Sequence, residues 1–188
     1  MESVSIRELF RNTALYAGKT VSVGGWVRSV RASKAFGFIV LHDGTFFTPL
    51  QVVYHDNLDN FQEISKTNVG AALVVTGTLV ETPDAKQPFE LQAESVVVEG
   101  SSAPDYPLQK KRHSLEFLRT MTHLRPRTNT FQAVFRVRSL IAYAIHRFFQ
   151  ERDFVYVHTP LITGSDCEGA GEMFQAVSYT HLTLPTIA

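Results

Sequence analysis

A single cysteine, Cys167, leaves this chain unable to close an internal disulfide or to assemble a cysteine-based zinc cluster. That scarcity suits a reducing compartment. No run of eighteen apolar residues occurs, which excludes a simple membrane-spanning helix. The opening residues Met1-Glu2-Ser3-Val4-Ser5 lack the basic stretch and apolar run of a secretory leader. Neither sign of charge prevails: 18 Lys and Arg face 18 Asp and Glu, so any surface for a polyanion has to be local. The seven histidines are scattered without metal-ligand spacing, and His42 and His146 read as surface or partly buried side chains. What is plentiful is apolar: 44% of the 188 residues against 19% charged, enough for a packed core and contrary to disorder. The expectation is a soluble, cytoplasmic protein holding one large domain, or one small domain plus part of another.

Periodicity divides the chain. Ser5 to Asn12 reads as a short helix with Ser5 as N-cap and Glu8 as its capping-box partner, and Gly18 breaks it. From Thr20 the period becomes two, predicting a long strand towards Arg31 in which Gly24 and Gly25 permit a bend. A second strand is expected over Phe36 to His42, closed by the Asp43-Gly44 turn, and a third over Pro49 to Tyr54. Asp56 to Lys66 is helix-compatible, with Leu58, Phe61 and Ile64 on one face and Asp56 or Asn57 as cap. Ala71 to Leu79 and Phe89 to Val98 read as fourth and fifth strands. Three strands, a helix and two strands is the order of a five-stranded Greek-key β barrel of the OB-fold type; a small open sheet is the plainer alternative.

The stretch Gly100 to Pro107, rich in Ser, Pro and Asp, marks a domain boundary, and the basic cluster Lys110-Lys111-Arg112 follows it. Ser114 to Thr122 is expected to be helical. A long helix capped by Asn129 or Thr130 then runs to about Arg152, and Phe154 to His158 has the composition of a short strand ending at Pro160.

Barrels of this type bind single strands by stacking bases on aromatic rings beside basic residues. Arg28, Arg31 and Lys34 on or near the first strand, Phe36 and Phe38 on the second, and Gln51 on the third supply those groups. Arginine pairs with phosphate, a phenylalanine face carries a base, and a carboxamide both donates and accepts at a base edge. Alternation puts Phe36 and Phe38 on one face without saying whether that face is core or solvent. Farther on, Asp166-Cys167-Glu168-Gly169-Ala170-Gly171-Glu172 could present a carboxylate to a substrate ammonium, or be a polar loop. Ala170-Gly171 stands where a phosphate-binding P-loop needs Lys-Ser/Thr, which excludes that motif.

Taken together, several segments resemble one family. VSVGGWVRSVRASKAFGFIVLHDG, residues 21–44, resembles the anticodon-binding barrel of the class II aminoacyl-tRNA synthetases for aspartate, asparagine and lysine. His113-Ser114-Leu115-Glu116-Phe117-Leu118-Arg119, His123-Leu124-Arg125-Pro126-Arg127-Thr128-Asn129, Phe154-Val155-Tyr156-Val157-His158-Thr159-Pro160 and residues 166–174 resemble the asparaginyl member.

The resemblance implies that Phe38 stacks on the anticodon, that Gln51 reads its central uridine, and that Arg31 and Arg28, with Glu90 on the fifth strand, are further anticodon contacts. It implies that the segment from Gln132 to Thr163 is motif 1, whose long helix and strand, ending at Pro160, make the dimer interface, and that Glu168 holds the α-ammonium of the amino acid. It also implies an asparagine–tRNA ligase that uses ATP and magnesium, works as a homodimer and needs no membrane.

The expected layout is an OB-fold anticodon-binding domain over residues 1–100, a linker over 101–129 and the truncated start of an α+β class II catalytic domain over 130–177. Residues 178–188 read as a non-native tail of translated sequencing adaptor. On this reading the chain is an N-terminal fragment without the motif 2 and motif 3 arginines, so it is not expected to bind ATP or magnesium tightly or to catalyse alone. A free-standing single-strand or tRNA-binding module and an aspartyl-tRNA synthetase are the alternatives.

Overall fold

The computed structural model describes residues 3–160 together with the two-residue strands Val177–Ser178 and Leu182–Thr183, which pair antiparallel with each other. The chain divides into two compact units, residues 1–138 and 139–188. The first unit is built on a closed barrel of five strands: β1 (Thr20–Ala32), β2 (Phe36–His42), β3 (Leu50–His55), β4 (Ala72–Glu81) and β5 (Phe89–Gly100), in the spatial order β1-β2-β3-β5-β4. All neighbours are antiparallel except β3 and β5, which run parallel and close the barrel. Closure removes the open edges that an isolated sheet would expose.

Strict alternation fills the interior. Gly37, Ile39 and Leu41 of β2 point inward, as do Leu73, Val75, Gly77 and Leu79 of β4, and their neighbours point out. Tyr54 and Phe89 are the largest side chains sealed inside, packed with Val23, Ile39, Leu50, Leu91 and their neighbours. The helix α1 (Ile6–Arg11) packs into this core through Ile6 and Leu9, both fully buried, and the single turn α2 (Thr13–Tyr16) follows it. Ser5 caps it by accepting from the Glu8 amide at 3.2 Å. The Glu8 carboxylate accepts from Asn12 Nδ2 instead of reaching back to Ser5, so only half of the expected capping box forms.

Four expectations need correction. The helix α3 occupies only Phe61–Ser65, because the residues from Asp56 to Asn60 are spent on turns; its N-cap position is Asn60, whose side chain instead donates to the Val96 carbonyl at 2.8 Å. The glycine pair makes no break in β1: Gly24 and Gly25 sit in unbroken register with Val74 and Leu73, and the irregularity falls between Val27 and Ser29. Gly25 is small for a different reason, since a Cβ there would lie 2.9 Å from the His42 carbonyl oxygen. The long helix α5 (Asn129–Gln150) is capped by Thr128, whose hydroxyl accepts from the Phe131 amide, not by Asn129 or Thr130. Residues 154–160 form no strand, because strand composition cannot supply a ladder partner and none of the described residues provides one.

The segment expected to be a linker packs on the barrel within the first unit. Asn68 Nδ2 donates to the Ser102 carbonyl at 2.9 Å, and Gly70, with φ at +91°, leaves room for the ring of Tyr106. Beyond it come α4 (Leu115–Arg119), capped by Ser114, and a 3₁₀ turn at Arg125–Arg127. Arg127 lies over the Trp26 ring at 4.7 Å and donates to the Tyr106 hydroxyl at 3.2 Å. In the second unit, Phe149 meets Phe148 and Phe154 edge-on, and His146 meets Tyr156 in the same way. No helix among the described residues is long and apolar enough to cross a membrane.

Candidate nucleic-acid interface

Cross-strand register assembles the outer face of the barrel. β1 and β2 pair Arg31 with Phe38 and Ser29 with Val40, and β2 and β3 pair Val40 with Gln51 and Phe38 with Val53. The parallel β3–β5 pairing adds Glu90 beside Gln51 and Gln92 beside Val53, through the partners Val52–Leu91 and Val53–Gln92. Two rows of outward residues result: Ser29, Val40, Gln51, Glu90, then Arg31, Phe38, Val53, Gln92. A surface hollow of about 340 Å³ opens on them, lined by Ser29, Arg31, Phe38, Val40, Gln51 and Lys110.

Phe38 is half-buried and stands outside the core. Its neighbour Gly37 faces the interior against the Tyr54 ring, where a Cβ would collide with that ring. Tight inward packing at Gly37 therefore turns the flanking Phe36 and Phe38 outward. Phe36, 39% exposed, meets Phe38 edge-on at 5.5 Å and His55 at 6.3 Å, so an aromatic strip leads away from the hollow. Arg31 is exposed on the far side of Phe38. Polar, cationic and aromatic groups thus converge on one concavity, the combination that binds unpaired bases and their phosphates.

The structure brings Arg31, Phe38 and Gln51 together and holds Glu90 against Gln51, whose Nε2 donates to the Glu90 carboxylate at 3.2 Å. It places Arg28 elsewhere. Arg28 lines a separate hollow of about 900 Å³ with Lys111, Arg112, His113, Glu116 and Arg127, and its guanidinium is drawn below the ordinary arginine range by burial, partly offset by Tyr106. Three residues along a strand is an odd spacing, so Arg28 does not share the Arg31 row, and the register of β1 with β2 shifts between Val27 and Ser29. Pro160 is exposed and belongs to no regular element, while Glu168 and Cys167 lie outside the described residues. Lys110 and Gln92 escaped attention in the sequence. Lys110 sat in a basic cluster after the boundary, and only tertiary packing returns it to the barrel. Gln92 shares a strand face with Glu90, a signal that alternation carries.

A buried histidine stands at the end of β2. His42 is 5% exposed; its Nδ1 accepts from the Gly44 amide at 2.9 Å, which puts its proton on Nε2, and that atom has no partner among the described residues. Burial lowers its pKa below the usual histidine value, Arg28 and Arg136 push the same way, and the neighbouring Asp43 carboxylate opposes them. The unfolded chain therefore takes up this proton first as the pH falls. Stability is complete above the ordinary histidine pKa of about 6.5 and declines below it, with a slope no steeper than about 1.4 kcal/mol per pH unit. Urea titrations between pH 7.5 and 5 are expected to show this loss, and a His42→Gln chain is expected to show a flatter profile.

A closed five-stranded barrel in this strand order, with an aromatic and basic groove on its outer face, is an OB-fold. The family model for the OB-fold nucleic acid binding domain matches residues 21–99, and that for class II tRNA synthetases (D, K and N) matches residues 114–186. The chain belongs to the class II tRNA synthetases of the aspartate, lysine and asparagine group. It is 65% identical over 179 residues to the asparagine–tRNA ligase of Acetivibrio thermocellus, a match covering 95% of this chain and 39% of that protein. With the asparagine–tRNA ligase of Clostridium acetobutylicum it shares 62% over 178 residues, 95% of this chain and 38% of the other. The chain thus spans about two fifths of the length of these curated relatives. Among solved structures, asparaginyl-tRNA synthetase from Pyrococcus horikoshii complexed with asparaginyl-adenylate superposes with a TM-score of 0.81 at 22% identity, covering 95% of this chain and 41% of that one. That likeness speaks for the fold.

Proposed function

We propose that this chain is the anticodon-binding and first catalytic-domain portion of an asparagine–tRNA ligase, an enzyme that activates asparagine with ATP and transfers it to its tRNA. The observation that carries this reading is the hollow in which Phe38 stands between Arg31 and Gln51 on the outer face of the barrel. An unpaired anticodon base stacks on the Phe38 ring, Gln51 meets its edge, and Arg31 and Lys110 grip the adjoining phosphates. Arg28, held apart in its own hollow, contributes positive charge to a more distant part of the same RNA. The identity of 58–65% with asparagine–tRNA ligases supports the choice of asparagine over aspartate.

The same reading assigns residues 1–100 to anticodon recognition, 101–129 to the linker and 130–177 to the start of the catalytic domain. Leu140, Ile141, Ile145 and Phe148 on α5 are exposed apolar residues suited to covering by a second subunit, with Pro160 at the same interface. Glu168 is assigned to the asparagine ammonium. No group of three or more His, Cys, Asp or Glu among the described residues could hold a metal ion. The site of action is the cytoplasm, where the tRNA is charged.

The test is binding of the chain to an RNA hairpin carrying the asparagine anticodon, against a single strand of equal length and charge but unrelated sequence. Tighter binding of the hairpin, with affinity falling steeply as salt is raised, is the expected result. Equal affinity for both would favour a general single-strand binder.

A further inference from the structure

Glu90 carries the inference that goes furthest. It lies between two carboxamides on the outer face of the barrel: Gln51 Nε2 donates to one of its carboxylate oxygens at 3.2 Å, and Gln92 Nε2 donates to the other at 2.8 Å. A carboxylate only accepts, whereas a carboxamide can turn either its oxygen or its nitrogen towards a neighbour. Glu90 removes that freedom. With an ionised carboxylate beside it, Gln51 has to present Nε2 to Glu90, because the flipped amide would place oxygen against oxygen in a half-buried site. The parallel register of β3 and β5 puts Gln51 and Glu90 side by side, so the contact is built into the barrel closure.

We infer that Glu90 is a positioning residue that fixes the amide of Gln51 and thereby makes the groove select keto bases over amino bases. This inference rests on the reading that Gln51 meets the edge of a base stacked on Phe38. With one Nε2 hydrogen committed to Glu90, Gln51 offers the base an oxygen acceptor and its second N–H donor. Uracil answers that pair with N3–H and O4, and guanine does so with N1–H and O6. Cytosine and adenine carry the reverse order, a ring nitrogen acceptor beside an amino donor. They could be accommodated only by flipping the amide, which Glu90 opposes. A glutamine that would otherwise read either class becomes a one-way reader, and part of the selectivity comes from exclusion of the wrong base.

The experiment measures the dissociation constants of anticodon hairpins with uridine or cytidine at the central position, for the parent chain, Glu90→Gln and Gln51→Leu. Circular dichroism and the unfolding midpoint are read on each chain, so that loss of fold is separated from loss of selectivity. The parent is expected to favour uridine by between about 5-fold and 150-fold, the range of one well-placed pair of base-edge hydrogen bonds. In Glu90→Gln the neighbouring amide accepts as readily as it donates. The preference is then expected to fall to within about twofold, mostly through tighter binding of the cytidine hairpin. A full preference retained by Glu90→Gln but lost in Gln51→Leu would overturn the role of Glu90 while leaving the base-reading role of Gln51 intact. A preference unchanged in Gln51→Leu would show that Gln51 does not read the base, and the inference falls with that premise.

Discussion

Replacing Tyr54 with alanine is expected to destabilise the first unit by about 3–5 kcal/mol, the range found for removing a large aromatic side chain from a core. Tyr54 is fully buried and is among the largest side chains sealed in the barrel. Its ring packs against Phe61 of α3 at 5.4 Å between centroids, lies under Gly37 of β2, and carries its hydroxyl to within 3.1 Å of Ser65 Oγ. No single neighbour can move in to fill that volume, because Gly37 has no side chain and Phe61 is held by its short helix. Tyr54→Phe separates the contributions: it keeps the ring and removes only the hydroxyl contact, and is expected to cost about 0.5–1.5 kcal/mol. Urea titration followed by circular dichroism checks both changes. An alanine variant within 1 kcal/mol of the parent, on the order of a surface substitution, would mean that the barrel interior relaxes around the void.

The same tyrosine shows why most of this fold is legible in the sequence. In β2, the alternation of Phe36, Gly37, Phe38, Ile39, Val40 and Leu41 declares two faces, and the strand begins and ends at Phe36 and His42 as its pattern predicts. The pattern alone does not say which face is inside. A strand with phenylalanine on one face and glycine on the other reads most simply with the phenylalanines inward, and the opposite holds because Tyr54 on the next strand fills the space left by Gly37. Packing between strands, not periodicity within one, decides the matter. The helix α3 is shorter than its apolar spacing predicts for a related reason. Leu58, Phe61 and Ile64 satisfy helical spacing, yet turns through Leu58 serve equally well to bring Phe61 and Ile64 into the core.

The candidate site is legible only in part. Arg31, Phe38 and Gln51 belong to three successive strands, and pairing each with the next places them together. The contact of Glu90 with Gln51 spans 39 residues and depends on the parallel closure of the barrel, which no local pattern encodes. Arg28 illustrates the converse. Its odd spacing of three residues from Arg31 sets it off the Arg31 row by local alternation alone, and it lines another hollow. The stretch from Phe154 to His158 has β-branched and aromatic composition without a partner, so composition states an inclination that only a neighbouring strand can realise.

Phe38→Ala is expected to weaken binding of an anticodon hairpin by about 1–3 kcal/mol, the contribution of one base stacked on an aromatic ring. The change should leave the fold alone. Phe38 is half-buried on the outer face, its ring contributes nothing to the sealed core, and the strand is held by backbone pairing with Arg31 on one side and Val53 on the other. Phe38→Leu keeps apolar bulk without a π face and is expected to bind nearly as poorly as alanine, whereas Phe38→Tyr and Phe38→Trp keep the ring and most of the affinity. Arg31→Ala provides the contrast. It removes a charge that addresses phosphate, so it should lower affinity for every RNA alike and make the dependence on salt shallower, while Phe38→Ala leaves the salt dependence unchanged. Hairpin affinities measured across a salt series distinguish the two behaviours. If leucine binds as tightly as phenylalanine, the ring acts as an apolar spacer, and the base it was assigned must lie elsewhere on the barrel, the aromatic strip of Phe36 and His55 being the nearest alternative.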